Sequence, residues 1–261
     1  MGVVNVTPDS FSDGGDNTDP AVAMATARRL LAEGAAIVDI GGESTRPGAS
    51  GVSLDEELRR VVPVLEGLAG LPVSIDTSKA EVARRALELG AVLVNDVTAL
   101  RGDPALAGVI AESGAYVSLM HMQGEPRTMQ DAPRYSDVVG EVTGFLEDRM
   151  AVAIAAGISE EHICLDPGIG FGKTPDQNLE LLRGLERICT LGRPVLVGLS
   201  RKSTLARALG DPDGRVGSTA ASIGAAVAAF DRGAALFRAH DVRPTVEALT
   251  LAAAVERGRV V

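Results

Sequence analysis

The stretch Ile163–Lys173, ICLDPGIGFGK, brings an apolar run to a carboxylate, Asp166, and then turns through Pro167 and three alternating glycines, Gly168, Gly170 and Gly172. A strand that delivers an acid to a glycine-rich mouth is the arrangement of a ligand site at the carboxyl end of a sheet. Gly172-Lys173-Thr174 looks like the tail of a phosphate loop, but GxxxxGK[ST] needs a glycine where this chain has Pro167. The third glycine also comes one residue too early for GxGxxG. The ligand must therefore be argued from other residues, and Lys173 is expected to be a surface or loop residue.

Other apolar runs end in the same way. Their polar ends are Asn5, Asp39, Asp76, Asn95 with Asp96, His121, Asp166, Ser200 to Lys202, and Arg238 with His240. Asp76, Asn95, Asp96 and Asp166 offer acceptors, and a carboxylate grips the N–C–N edge of a donor-rich heterocycle through two parallel hydrogen bonds. Arg46, Arg201, Lys202, Arg238 and His240 offer donors and positive charge for a phosphate or pyrophosphate. The same acids would also suit Mg²⁺, a cation that takes oxygen ligands. Taken alone, Asp76-Thr77-Ser78 reads equally well as the N-cap of the next helix, and His121 as a structural residue. Two loops, Thr7–Gly15 (TPDSFSDGG) and Ser44–Gly51 (STRPGASG), read as lids over the mouth, with Phe11, Thr45, Arg46 and Pro47 closing on substrates. Met120–Gln130 is expected to form a third rim.

These ends are carried by a repeated unit. A helical pattern closes at a glycine, a short run rich in Val, Ile and Leu follows, and a polar residue ends it. Gly34 precedes AAIVDI, Gly90 precedes AVLVND, Gly114 precedes AYVSLMH, Gly157 precedes ISEEHICLD and Gly233 precedes AALFR. Pro72–Asp76, Pro194–Gly198 and the opening VVN complete a set of eight. Glycine just past a helix supplies its left-handed cap, and short continuous apolar runs are typical of parallel strands covered on both faces. Helices are expected over Pro20–Glu33, Asp55–Leu68, Lys79–Leu89 and Ser136–Ala156. Alternation repeated eight times predicts an α/β fold, a single (β/α)8 barrel over residues 1–261, with a doubly wound open sheet as the alternative. The length of 261 residues is close to the roughly 250 usual for such a barrel.

A formal charge of −10 excludes nucleic acid as the main partner, because phosphate backbones need a basic surface. An anionic substrate must then be held by local cations against the global field. The two cysteines, Cys164 and Cys189, have no metal-like spacing, and Cys164 lies inside an apolar run, which points to a buried thiol and a reducing cytoplasm. No signal-peptide pattern follows Met1. The uncharged run Val216–Phe230 is shorter than the roughly 20 residues that span a bilayer, and reads as a tightly packed helix.

Taken together, NVTPDSFSDGG (Asn5–Gly15), DIGGESTRPGA (Asp39–Ala49), SIDTSK (Ser74–Lys79), ND (Asn95-Asp96), LMHMQGEPRTMQ (Leu119–Gln130), DPGIGFGKT (Asp166–Thr174), GLSRKS (Gly198–Ser203) and RAHDV (Arg238–Val242) resemble the dihydropteroate synthase family, the folate-pathway enzymes that sulfonamides inhibit. The motifs run in order along nearly the whole chain. The resemblance implies a barrel that joins a dihydropterin pyrophosphate to p-aminobenzoate, releasing pyrophosphate and 7,8-dihydropteroate. It implies that Asp76, Asn95 and Asp166 hold the pterin edge, that Lys202 reaches the ring's acceptors, that Asp96 supports this wall and that Phe171 lines it. Arg238 and His240, with Arg46, would bind the pyrophosphate, and Asn5 would bind Mg²⁺ beside it. Phe11, Thr45, Arg46, Pro47 and Ser203 would shape the p-aminobenzoate site. Lys202, Arg238, His240, Arg46 and Asp76 would be the catalytic set, in a homodimer.

The chain departs from the family's usual pattern at its start, where Met1 falls inside the first strand. Two other functions compete. A pterin-binding methyltransferase would share the barrel and the acidic grip but would have no use for STRPGA, SRKS or the Arg238/His240 anion site. A paralogue that only binds pterins would not need intact loops.

Overall fold

A computed structural model describes residues 1–7, 19–45 and 51–259. Strands β1 (Gly2–Asn5), β2 (Val38–Gly41), β3 (Val73–Asp76), β4 (Leu93–Asp96), β5 (Tyr116–Met120), β6 (Ile163–Asp166), β7 (Leu196–Val197) and β8 (Leu236–Phe237) alternate with helices. After β1 to β4 come α1 (Pro20–Ala32), α2 (Leu54–Gly67), α3 (Ala80–Glu88) and α4 (Leu106–Ser113), and after β5 comes α5 (Val138–Ala155). Beyond β6 lie α6 (Pro175–Arg183) and α7 (Leu185–Cys189), beyond β7 lie α8 (Ser203–Ala208) and α9 (Thr219–Phe230), and α10 (Val242–Arg257) closes the order.

β1 to β6 form one parallel sheet in sequence order, and β7 pairs with β8. Single parallel bridges, Leu165 with Val195 and Gly2 with Ala239, join the two pieces at both edges. Across the second join the Ala239 N–H donates to the Met1 carbonyl at 2.9 Å. The result is the closed (β/α)8 barrel; the open sheet is excluded because β1 and β8 are joined.

The strands are short because each only spans the height of the barrel, and five of them, β2, β3, β4, β6 and β7, are buried at every position. One face of each strand packs outward on the helices. Ile40, Ile75, Val94, Leu119 and Leu165 share a core with Leu30, Leu65, Ile110 and Leu146 from α1, α2, α4 and α5. Each such side chain contributes roughly 1.5–3 kcal/mol on burial. The other face lines the lumen.

Helix ends follow local chemistry. Gly114 caps α4 at φ 68°, a left-handed angle that glycine adopts without a Cβ clash. α9 starts later than the run from Val216 predicts, because the Ser218 side chain caps it by accepting from the Ala221 N–H at 3.1 Å; Val216 stays exposed. α3 differs from the capping alternative for Asp76-Thr77-Ser78. Its Ala80 N–H is met by Asp103 Oδ2 at 2.9 Å, which leaves Asp76 for other work. Cys164 is buried, as expected, and burial pushes its thiol up to about 12.

Candidate active site

Strand register decides which polar residues meet. Side chains alternate across a strand, and partners in adjacent parallel strands share a face. Asn5 pairs with Gly41, Gly41 with Asp76, and Asp76 with Asn95. Asp39 lies two residues before Gly41 and pairs with Ser74. Asn95 pairs with Ser118, Ser118 with Cys164, and Asp166 follows two residues on. Asn5, Asp39, Ser74, Asp76, Asn95 and Asp166 therefore all point to one face, the lumen, while Asp96 falls on the other.

At the centre is Arg238, just after β8. Its Nε donates to Asp39 Oδ2 at 2.7 Å and its NH2 group to Asp76 Oδ2 at 2.8 Å. Asn95 Nδ2 donates to the same Asp39 oxygen at 3.1 Å, and Ser74 Oγ donates to Asp39 Oδ1 at 2.7 Å. Asp39 is wholly buried, so this charge is tolerable only because each oxygen is bonded. Burial raises the Asp76 carboxyl to about 7; Arg238 opposes the shift, and the like charge of Asp39 adds to it. A guanidinium has five N–H donors, and the two acids use two of them.

Across the lumen, Asp166 accepts from the Gly168 N–H at 2.7 Å. Burial lifts its carboxyl to about 6, against the pull of that hydrogen bond and of Lys202. Phe171 packs on a small apolar cluster of Val97, Met120, Met122 and Met129, and Lys202 Nζ lies 4.2 Å from its ring centre. The mouth thus presents two acids and an amide around a patch of aromatic and methionine surface with a cation beside it. That combination suits a flat heterocycle with donors on one edge and acceptors on another.

A family model described as pterin-binding enzyme matches residues 1–240. The chain is 46% identical over 253 residues to the dihydropteroate synthase of Escherichia coli (strain K12), covering 95% of this chain and 88% of that protein. The chain belongs to the dihydropteroate synthase family. It is also similar to the crystal structure of the Yersinia pestis dihydropteroate synthase with a sulfonamide drug complex, at a TM-score of 0.92 and 43% identity, over 99% of this chain and 94% of that one. Against the Xanthomonas albilineans dihydropteroate synthase in complex with 7,8-dihydropteroate, the TM-score is 0.85 at 47% identity, covering 98% and 92%.

Within this dihydropteroate synthase fold the expected residues separate into groups. Asp76, Asn95, Asp166, Phe171, Lys202 and Arg238 converge as described. Asn5 ends β1 on the same face. Both oxygens of Asp96 are taken, Oδ1 by the Thr98 N–H and hydroxyl and Oδ2 by the Leu100 N–H at 2.6 Å. It builds the turn behind Asn95, on the strand face away from the lumen. His240 sits beyond Arg238, its ring and backbone nitrogens each 3.1 Å from Ser200 Oγ. Ser203 opens α8 beside Lys202. Thr45 is half-buried at the edge of its loop. Phe11, Arg46 and Pro47 lie outside the described residues.

Several readings need correction. Arg201, one of the cations offered for a phosphate, also forks onto Asp241, with Nε to Oδ2 at 3.1 Å and NH2 to Oδ1 at 2.7 Å. At φ 60° it ties the loop after β7 to the loop after β8, a strained backbone next to Lys202. Lys173 is no surface residue, being 2% exposed behind the glycine-rich loop. From sequence Asp39 reads only as a strand-end acid; its signal is a carboxylate flanked by apolar residues inside a strand. Lys79 carries no such signal in the sequence: its ammonium bridges Glu57, which is wholly buried, and Glu43, two residues before Thr45.

Proposed function

We propose that this chain, folded as one domain, condenses 6-hydroxymethyl-7,8-dihydropterin pyrophosphate with p-aminobenzoate to give 7,8-dihydropteroate and pyrophosphate. The observation that carries the reading is the convergence of Asp76, Asn95 and Asp166 on one lumen face with Lys202 against Phe171. The acids and the amide take the pterin's N–C–N edge, Phe171 lies against its face, and Lys202 donates to its ring acceptors. Arg238 and His240 meet the pyrophosphate, with Arg46 from the second loop.

The methylene C–O bond breaks first, and its electron pair leaves with the pyrophosphate. The resulting pterin methylene cation is delocalised into the ring and lies among acids. The neutral arylamine nitrogen then forms the C–N bond and loses a proton to solvent. No strong general base is needed, because the amine is already nucleophilic. Phe11, Thr45, Arg46, Pro47 and Ser203 shape the arylamine's site, so that loop closure over bound pyrophosphate completes it.

Asn5 suits Mg²⁺ in one respect, an amide oxygen on the lumen face. Mg²⁺ keeps waters and substrate phosphate oxygens as ligands, so a single protein oxygen is sufficient. When bound there, the ion would neutralise charge on the leaving pyrophosphate. A homodimer and a cytoplasmic location belong to the same reading. Among the described residues no helix is long and apolar enough to cross a membrane.

The test is pyrophosphate-releasing coupling of radiolabelled p-aminobenzoate to the dihydropterin substrate. Product at a rate that falls at least about tenfold in Lys202→Ala supports the reading. Pterin binding without product, or methyl transfer in its place, overturns it.

A further inference from the structure

Lys173 is among the largest fully buried side chains of the described residues. Burial lowers its ammonium to about 7, with the charge of Asp166 opposing the shift; protonated, it has three donors and three acceptors at 2.9 Å: the Gly168 carbonyl, the Phe171 carbonyl and His121 Nδ1. His121 is kept neutral by burial, which lowers it to about 3 with Lys173 adding to the shift, so Nδ1 is available to accept. Two of these bonds hold the loop that follows β6, and the third crosses to the segment that follows β5. The loop is packed hard on that segment, since a Cβ at Gly168 would sit 1.9 Å from the His121 carbonyl oxygen. Gly168 is also the residue whose N–H holds Asp166, and Phe171 is the residue under Lys202.

We propose that Lys173 is a positioning residue for the pterin half of the site: by clamping the Gly168 and Phe171 carbonyls to His121, it sets the Asp166 carboxylate and the Phe171 ring for the pterin's edge and face. It does not touch substrate. It acts from behind the wall, through the carbonyl of Phe171, whose ring meets the pterin, and the carbonyl of Gly168, whose N–H holds Asp166. The inference rests on the pterin reading above.

The test compares Lys173→Met, which keeps length and apolar bulk, with the wild-type protein. Binding of 6-hydroxymethylpterin is followed by fluorescence titration, and KM is measured for each substrate at saturation of the other. The expected result is pterin binding and pterin KM weakened about tenfold, with the p-aminobenzoate KM changed less than about twofold. Unchanged pterin binding with only a lower melting temperature, or an equal rise in both KM values, overturns the proposal. If Lys173→Met does not fold, His121→Phe decides. It keeps aromatic packing on Phe145 (ring centres 4.8 Å apart) and removes one acceptor. A pterin Kd about threefold weaker supports the clamp, and an unchanged one overturns it. A wild-type protein that binds no pterin overturns the proposed function and this inference together, whereas normal wild-type binding with an unaffected Lys173→Met overturns this inference alone.

Discussion

Asp76 and Asp166 are carboxyls whose burial makes ionisation costly, and a pterin's donor edge needs them ionised. Their upward shifts, to about 7 and about 6, place an acid limb in the profile of kcat/KM for the pterin substrate near neutrality, above the ordinary carboxylate range. The rate constant should fall as pH drops through that window, as steady-state assays across it would show. An acid limb confined to the range below about pH 5 would count against this. The stability effect has the opposite sense. An acid raised in the folded state holds its proton where the unfolded chain has lost it. These groups therefore make stability fall as pH rises from the ordinary carboxylate range to about 7. In Asp76→Asn, urea unfolding across the same range should show a shallower decline.

The β6–α6 connection shows how an element tunes a site. Thr174 caps α6 through a full capping box: its hydroxyl accepts from the Gln177 N–H, and the Gln177 side chain accepts from the Thr174 N–H. Thr174→Ala should lower stability by about 1 kcal/mol in urea unfolding, with pterin binding little changed, because the loop is still clamped by Lys173 upstream. The glycines before it are not equivalent. At Gly168, φ is 66° and an added Cβ meets a backbone carbonyl that cannot give way, so Gly168→Ala should fail to accumulate as soluble protein. At Gly170 the same Cβ meets Lys202 Cδ at 3.1 Å, the shaft of a flexible side chain. Gly170→Ala carries the strain of its own left-handed φ of 84° but meets a side chain first, so it should fold with reduced stability and lose pterin affinity by displacing Lys202. Expression yield and pterin titration of the two variants separate these effects. These glycines make room first for the protein's own backbone and for Lys202.

At the scale of the whole barrel, Arg238 links its last strand to β2 and β3, bonding residues 199 and 162 positions away along the chain. It is both a site residue and part of the closure. Arg238→Ala would leave Asp39 buried without its cation, and breaking a buried pair costs about 3 kcal/mol. Coupling activity should be sharply reduced. Urea unfolding should show the stability loss, and a second change, Asp39→Asn, should return part of it by removing the orphaned charge. Stability of Arg238→Ala within about 0.5 kcal/mol of wild type would mean that the pair does not bear on closure.

Local rules were enough to read the alternation of helices and strands, the helix-ending glycines and the list of strand-end residues, because periodicity, capping and backbone freedom act over a few neighbours. Barrel closure was also legible, since eight repeats of one unit leave few other topologies. What only the tertiary structure decided was partnership. Asn95 and Asp96 are adjacent and alike in polarity, yet register sends one to the lumen and the other into a turn. Arg201 and Arg238 are alike in charge, yet one is committed to Asp241 and the other sits between Asp39 and Asp76. A lysine in a glycine-rich turn reads as solvated until the carbonyls around it are known. Which groups meet depends on contacts between distant parts of the chain, and no short window of sequence contains both sides of such a contact.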